Sequence, residues 1–211
     1  MIEVFETNKL NFDEYLNTLF KMYERREIPQ RYNEEFINSF KSIESRFEVI
    51  PKQGYPLVTW DWIDILVSFI GDSKCLEIMS GLGTISYALR QKNVDVICTD
   101  DCSWDDRWDD NKWTDVERKD AIEAIREYGT SVDYIIMSWA YMDDTAYRCL
   151  QTMRETNPNC KMIVIGEGYG GCTADDDYFE NIDIIENTMV HKMNDNYQNW
   201  MGIHDYIELV K

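Results

Sequence analysis

Positive charge, long apolar stretches and paired cysteines are scarce in this sequence. Lys and Arg number 21 against 40 Asp and Glu, which gives a formal net charge of −19 at pH 7. A protein that binds a nucleic-acid backbone needs a basic surface, because the release of counterions supplies most of the affinity. The charge therefore predicts no nucleic-acid partner. It favours a small neutral or cationic molecule, or a basic protein, as the binding partner. The alternative is that the negative charge serves only solubility.

No apolar stretch approaches the ~20 residues of a membrane-spanning helix, and the first residues, MIEVFETNK, are not typical of a signal peptide. The six cysteines form no C-x-x-C pair, which indicates reduced thiols in a cytoplasm-like compartment. We therefore expect a cytoplasmic protein without a membrane partner. Cys102 and Cys172 are predicted on loops at one edge of a sheet, but without clustered histidines we predict no metal site.

Length and composition fit a single compact α/β domain behind a helical extension. With 211 residues, 44% of them hydrophobic, the chain can bury a sizeable core. We expect residues 1–71 to form an N-terminal helical cap or lid. Residues 72–211 are expected to form the α/β domain, with a mostly parallel sheet.

Three helices are predicted in the N-terminal segment. Asn11 and Glu14 are spaced as a capping box for the first helix. The second is predicted from about Arg31 to Phe47, and Pro51, Gly54 and Pro56 are expected to break the chain after it. The third is predicted over Thr59–Ile70. An apolar stripe on the second helix is expected to be buried: Tyr32, Phe36, Phe40, Ile43 and Phe47.

The stretch Cys75–Asp101, CLEIMSGLGTISYALRQKNVDVICTDD, is typical of a strand, a glycine turn, a helix and a second strand. Glycines let a ligand approach the backbone, and the helix start presents free N–H groups. Asp100 or Asp101 would accept hydrogen bonds from a ribose diol. The turn lacks the G-x-G-x-x-G spacing of a dinucleotide site, and Glu77 would repel a pyrophosphate but pair with a cationic amino-acid group. The alternative is an ordinary turn that binds nothing.

These residues resemble motif I of the class I S-adenosylmethionine-dependent methyltransferases, an acid followed by G-x-G-x-G. Glu77, Gly81 and Gly83 fall on the acid and the last two glycines, whereas Met79 stands at the first glycine. The resemblance begins at about residue 72 and implies a Rossmann-like fold for residues 72–211, with S-adenosylmethionine as the cofactor. The cofactor-binding residues that it implies are Glu77, Met79, Ser80, Gly81, Gly83, Asp100, Asp101, Asp120, Ala121, Ser138 and Trp139.

Two later segments extend the resemblance. Asp115–Lys119 is predicted as a short third strand, although the segment could equally be one helix. Asp120-Ala121 then falls where the family binds adenine. The fourth strand ends in Ser138-Trp139-Ala140-Tyr141, where the amino methyltransferases carry D/N/S-P-P-Y/F. Ser138 and Tyr141 match the ends of that motif and would hold the target group, while the two prolines are replaced.

The end of the chain is predicted to close the sheet. After a fifth strand, Lys161–Ile165, Glu167 would point into the same cleft as Ser138 and act as a base or bind a cation, with a structural role as an equal alternative. Segments Ile182–Val190 and Ile203–Leu209 are predicted as a C-terminal antiparallel hairpin. The candidate catalytic residues are Ser138, Tyr141 and Glu167.

Aromatic residues supply further candidates. Lid residues, if the N-terminal helices cover the site, would be Tyr55, Trp60 and Trp62. The segment SWDDRWDDNKW, residues 103–113, is predicted as a loop whose Trp side chains stack on adenine or enclose a sulfonium, or merely anchor the loop. His191 and His204 are predicted to be structural.

The sequence therefore predicts an S-adenosylmethionine-dependent methyltransferase that acts on a small neutral or cationic molecule. Two alternatives remain open at this point. One is a methyltransferase-like domain that binds but does not catalyse, which the lost glycine and prolines favour. The other is an aminopropyltransferase, which shares the fold and requires an acidic pocket.

Overall fold

The structure is a computed structural model and describes residues 10–103 and 111–211. Its centre is a six-stranded sheet in the order β3-β2-β1-β4-β5-β6. Neighbouring strands are parallel except β6, which runs antiparallel to β5. The strands are β1 Cys75–Ile78, β2 Val96–Asp100, β3 Glu117–Arg118, β4 Tyr134–Ser138, β5 Lys161–Gly166 and β6 Tyr206–Val210. This topology confirms the predicted Rossmann-like α/β fold.

Helices cover both faces of the sheet. They are α1 Phe12–Glu24, α2 Glu34–Ile37, α3 Phe40–Gln53, α4 Trp60–Ile70, α5 Thr84–Gln91, α6 Ala121–Tyr128, α7 Thr145–Thr156, α8 Asp176–Asn181 and α9 Thr188–Asn196. The predicted capping box of α1 is present, because Asn11 and Glu14 each bond the other's backbone N–H. No helix in the described part of the chain has the length and apolar character needed to cross a bilayer.

The prediction of a single second helix over Arg31–Phe47 is wrong. The chain forms two helices, α2 and α3, because Ser39 interrupts them and accepts a hydrogen bond from the Ser42 N–H to begin α3. The interruption rotates the later residues away from the core. Phe40 and Phe47 are consequently 80% and 65% exposed, instead of buried as predicted.

Pro51 does not break the chain, although the predicted break is found at Gly54. It lies inside the last turn of α3, where the helix continues to Gln53 and ends at Gly54 with φ 98°. A proline so near the end removes little of the helix's hydrogen bonding, and the left-handed conformation that favours glycine ends the helix instead.

The predicted C-terminal hairpin is present only in part: β6 is a full strand, and its predicted partner forms only an isolated bridge, between Ile184 and Val210. Only part of Ile182–Val190 pairs with β6, through the Asp183 and Ile185 N–H groups, which donate to Lys211 and Leu209 at 3.1 and 2.8 Å. The chain then turns into α9, because Asn187 accepts a hydrogen bond from the Met189 N–H and caps that helix. The antiparallel closure by β6 is as predicted.

The side chains of the sheet alternate between two hydrophobic clusters. Along β4, Ile136 belongs to a cluster with residues of α1, α4, α5 and α9, whereas Ile135 and Met137 belong to a cluster with residues of α6, α7 and α8. Residues of the N-terminal helices, including the fully buried Trp62, belong to the first cluster. The N-terminal helices therefore pack against the sheet, and the end of α3 reaches its carboxyl edge.

Candidate functional site

A cavity of about 390 Å³ lies at the carboxyl ends of β1, β2 and β4. Its volume is in the range of small-molecule sites, roughly 300–1,000 Å³, and this edge is where open α/β sheets bind ligands. The structure brings all predicted site residues except Gly83 and Glu167 to the cavity wall. Those at the wall are Glu77, Met79, Ser80, Gly81, Asp100, Asp101, Asp120, Ala121, Ser138, Trp139 and Tyr141.

The turn after β1 is held by hydrogen bonds to the end of β2. The Ser80 N–H donates to the Thr99 carbonyl at 3.1 Å, and the Gly81 N–H donates to Asp100 Oδ2 at 2.8 Å. Met79 has φ 50°, a left-handed conformation that costs a side chain about 1–2 kcal/mol and favours glycine. The methionine thus retains the backbone shape of a glycine turn.

Strained backbone recurs at the ends of the central strands. Met79, Cys102 and Trp139 follow β1, β2 and β4 with φ values of 50°, 53° and 53°. Such conformations persist only where surrounding contacts impose them, and they cluster at functional sites. For Trp139, the contacts are a hydrogen bond from Nε1 to Asp205 Oδ2 at 3.0 Å and a ring stacked on Tyr55.

Gly83 lies outside the cavity wall and has a steric role. It caps α5 with φ 69°, and a Cβ built on it would lie 2.9 Å from Val116 Cγ2 and 3.0 Å from Thr114 Cγ2. The turn after β1 can therefore pack against the segment before β3 only if this residue has no side chain.

Replacing Gly83 by alanine should lower the free energy of unfolding by about 2–3 kcal/mol, from left-handed strain plus overpacking. Gly202 is a matched control, because its φ is 77° and a Cβ there would meet nothing within 4 Å. Gly202→Ala should therefore cost only the strain, about 1 kcal/mol. Urea denaturation of both variants measures the difference, and equal losses would contradict the steric role.

The carboxylates at the strand ends bind nearby backbone N–H groups. Asp100 is buried and accepts hydrogen bonds from Gly81 and, at 2.7 Å, from the Cys102 N–H. Asp101 accepts from the Ser103 N–H at 2.8 Å. Asp120 caps α6 by accepting from the backbone of the helix's first turn. These bonds fix the carboxylates at the cavity wall.

Glu77 is the most deeply buried acid of the site, with 1% of its surface exposed. Its Oε2 accepts hydrogen bonds from the Ser86 N–H at 2.9 Å and from the Ser86 hydroxyl. Burial raises the pKa of the Glu77 carboxyl to about 7, although the bonds from Ser86 lower it in part. The charge of Glu77 therefore depends on what occupies the cavity beside it.

Ser138 and Tyr141 lie at the cavity end formed by β4. The Ser138 hydroxyl is buried and has no hydrogen-bond partner in the part of the chain that the structure describes. Tyr141 is 55% exposed, and partial burial raises the pKa of its hydroxyl. Both residues line the cavity.

Glu167 does not join Ser138, contrary to expectation. Its carboxylate turns back onto the chain and accepts hydrogen bonds from the Cys172 and His204 N–H groups at 2.9 and 3.0 Å. Partial burial raises the pKa of this carboxyl, but the bonds from His204 and Cys172 outweigh burial and lower it. In this position Glu167 holds two loops together.

The segment Gln53–Pro56, which we call the strap, forms the N-terminal side of the cavity. Its Tyr55 stacks on Trp139 with ring centroids 5.2 Å apart. The other two predicted lid residues are not at the cavity. Trp62 is fully buried and donates to the Leu57 carbonyl, and Trp60 packs beneath Lys92.

The Trp-rich segment is described only in part. Trp104 and Trp108 lie outside the described residues. Trp113 is buried, and its Nε1 donates to the Lys52 carbonyl at 2.7 Å, so this residue anchors the segment to the end of α3. Among the described residues, no group of three His, Cys, Asp or Glu side chains is placed to hold a metal ion.

The sequence analysis missed several residues of the cavity wall. The missed residues are Gln53, Gly54, Pro56, Thr84, Ile85, Ser103, Asp143 and Thr145. One of them, Asp143, accepts a hydrogen bond at its Oδ1 from the Thr145 N–H at 2.9 Å. For Gln53 the local sequence holds no signal, because α3 brings it to the cavity through packing.

No protein-family model matches this sequence, and no curated protein is significantly similar to it. A comparison with solved structures does find similar ones. A TehB-like SAM-dependent methyltransferase from Corynebacterium glutamicum is 15% identical with a TM-score of 0.49, over 81% of this chain and 96% of the other. A SAM-dependent methyltransferase from Archaeoglobus fulgidus is 11% identical with a TM-score of 0.46, over 82% and 100%.

A third similar structure is the tRNA methyltransferase TrmK of B. subtilis, 10% identical with a TM-score of 0.43 over 73% of this chain and 66% of the other. Similarities of this size are too low to assign an activity or a substrate. The function has to be argued from the cavity itself.

Proposed function

We propose that the protein is an S-adenosylmethionine-dependent methyltransferase that acts on a small neutral or cationic molecule. The observation that supports this most is the convergence of separate motifs on one cavity. The turn after β1, the acid Asp100, the Asp120-Ala121 pair and the Ser138–Tyr141 segment are far apart in sequence and line the same wall. The resemblance to the methyltransferases assigned each of these segments to the binding of cofactor or substrate.

The cavity wall suits such a cofactor chemically. Asp100 and Asp101 at the end of β2 offer carboxylate oxygens to a ribose diol. Ser138 lines the cavity, and its buried hydroxyl has no partner in the described chain, so a ligand that bonds it would satisfy this group. Tyr55 and Trp139 present aromatic rings that attract a sulfonium centre.

When bound, S-adenosylmethionine supplies a methyl group on a positively charged sulfur. The residues of the chain would orient the acceptor for in-line attack and exclude water, and orientation alone is worth much of the rate. Ser138 would hold the acceptor by its hydroxyl, and Tyr141 would pack against it at the open side. Glu167, bound to Cys172 and His204, takes no part.

The charge of the site supports a neutral or cationic acceptor. The cavity wall carries the acids Glu77, Asp100, Asp101, Asp120 and Asp143. Lys, Arg and His are absent from the wall as far as the structure describes it. An anionic acceptor would meet like charges there, and the net charge of −19 disfavours a nucleic acid in the same way.

The same observation favours a second candidate, aminopropyl transfer. S-adenosylmethionine carries a carboxylate, and the described wall offers it no cationic side chain. Decarboxylated S-adenosylmethionine, the donor in aminopropyl transfer, lacks that group. The two donors therefore have to be compared directly.

Calorimetric titration with S-adenosylmethionine, S-adenosylhomocysteine, decarboxylated S-adenosylmethionine and NAD tests the proposal. We expect micromolar binding of the first two ligands and no binding of NAD. In a separate assay with labelled S-adenosylmethionine, we expect transfer of the methyl group to a component of a small-amine mixture. Tighter binding of the decarboxylated form would favour aminopropyl transfer. Binding without transfer would favour a non-catalytic domain, and no binding would refute the proposal.

A further inference from the structure

Gln53, at the end of α3, is buried in the cavity wall and has no role in the motifs above. Its side chain is 1% exposed. Its Nε2 donates to the Gly54 and Pro56 carbonyls at 2.6 and 2.9 Å. Its Oε1 is buried and has no hydrogen-bond partner among residues 10–103 and 111–211.

The orientation of this amide is determined by its neighbours. Turning the amide over would place Oε1 against two carbonyl oxygens and lose both hydrogen bonds. Oε1 is therefore the atom of this amide that is left without a partner in the described chain, in a residue that lines the cavity. A buried acceptor without a partner costs stability, so a ligand that donates a hydrogen bond to it would remove that cost.

Gln53 is fixed next to the glycine turn by α5. The Thr84 hydroxyl, on the first turn of that helix, donates to the Gln53 carbonyl at 2.7 Å. Two residues further along the same turn, Ser86 bonds Glu77 Oε2. The first turn of α5 thus holds the backbone of Gln53 and the carboxylate of Glu77, two residues of the cavity wall.

We propose that Gln53 Oε1 and Glu77 together bind the ammonium group of the amino-acid part of the cofactor. An ammonium group has three donors and one positive charge, which suits an amide oxygen beside a carboxylate in a wall whose described residues include no Lys, Arg or His. The assignment rests on the proposed function. It makes Gln53 a binding residue supplied by the N-terminal helices.

Ligands that differ in one group test the proposal without any change to the protein. We would titrate the protein with S-adenosylhomocysteine, its deaminated analogue, its decarboxylated analogue and 5′-methylthioadenosine. Loss of the amino group should weaken binding by about 10- to 100-fold, because a hydrogen bond to a charged group is lost with the ion pair. Loss of the carboxylate should change binding by less than about threefold, since the described wall holds no cation for it.

The variant Gln53→Met should weaken binding of S-adenosylhomocysteine about tenfold and leave 5′-methylthioadenosine binding unchanged. Gln198→Met is the matched control. Gln198 is equally buried and bonds the Tyr32 backbone at 2.8 and 3.0 Å, but it does not line the cavity. The control should leave the affinity for both ligands unchanged.

The outcomes separate this inference from the proposed function. If no adenosyl ligand binds the wild-type protein, both fail. If S-adenosylhomocysteine and its deaminated analogue bind the wild-type protein equally, only the ammonium assignment fails. It also fails if Gln53→Met weakens 5′-methylthioadenosine as much as S-adenosylhomocysteine, because Gln53 then only supports the strap. If that variant does not fold, the comparison of the ligands on the wild-type protein still tests whether the ammonium group is bound.

Discussion

Replacing Asp100 by alanine is expected to lower the affinity for S-adenosylhomocysteine by about 100-fold or more. The carboxylate is buried at the end of β2 and faces the cavity, where it would accept charge-assisted hydrogen bonds from a ribose diol. It also accepts from the Gly81 N–H at 2.8 Å, so its loss frees the turn that forms the opposite wall. Two contributions to binding would disappear with one side chain.

Calorimetric titration measures this effect, and Asp133→Ala is the control. Asp133 also accepts a hydrogen bond from a backbone N–H, that of Lys74 at 3.0 Å, but it precedes β4 at the opposite edge of the sheet. The control variant should bind S-adenosylhomocysteine as the wild type does. Undiminished binding by Asp100→Ala would remove Asp100 from the proposed site. Thermal unfolding of both variants shows whether the fold is retained.

The part of the fold that follows local rules could be predicted from the sequence. Helices α5 and α7 begin and end where the apolar spacing and the adjacent turns place them, at Thr84–Gln91 and Thr145–Thr156. Strands β1, β2, β4 and β5 are short, mostly apolar runs buried between helices, so their order in the chain is visible as hydrophobicity. The topology then follows from parallel strands joined by helices.

Elements that depend on a single polar side chain could not be predicted in the same way. The apolar spacing of residues 31–47 is continuous, but the hydroxyl of Ser39 starts a new helix within it. The apolar run after Ile182 favoured a strand, yet the Asn187 cap turns it into α9. The spacing of apolar residues predicts which side of a helix or strand is buried. It does not predict where a capping side chain ends one element and begins the next.

The residues of the candidate site can also be divided into those that local sequence predicts and those that it does not. Residues that directly follow β1, β2 and β4 could be placed together, because the carboxyl ends of parallel strands share one edge. Glu167 follows β5 in the same manner, but the bend after that strand directs its carboxylate to the Cys172 and His204 N–H groups. Gln53 reaches the cavity only through the contact of α3 with Thr84, which is 31 positions away in sequence.

The burial of Glu77 should make the stability of the protein depend on pH. Burial raises the pKa of its carboxyl from 4.5 to about 7. Between these values the folded protein keeps a proton that the unfolded chain releases, so the unfolded state binds fewer protons. The free energy of unfolding from this group therefore falls as pH rises through that window and levels off above about 7. The difference amounts to about 3 kcal/mol.

Glu77→Gln should remove this dependence, because the amide stays neutral and its oxygen can still accept from the Ser86 N–H. By urea denaturation the variant should match the wild type near pH 5 and exceed its free energy of unfolding by up to about 3 kcal/mol at pH 8. Glu35→Gln, at an exposed position on α2, is the control and should show no such difference. Equal pH profiles for wild type and Glu77→Gln would contradict the argument.

The same variant should lose affinity for S-adenosylhomocysteine while it gains stability. In the proposed site the Glu77 carboxylate pairs with an ammonium group, which favours its charged form and offsets the cost of burial. Wild-type binding should therefore strengthen as pH rises from 6 to 8 and release a proton below about pH 7, measurable by calorimetry in buffers of different ionisation enthalpy. Glu77→Gln should bind about 10-fold more weakly at pH 8 without that proton release. A variant that gained stability and kept full affinity would show that Glu77 is a buried acid without a role in binding.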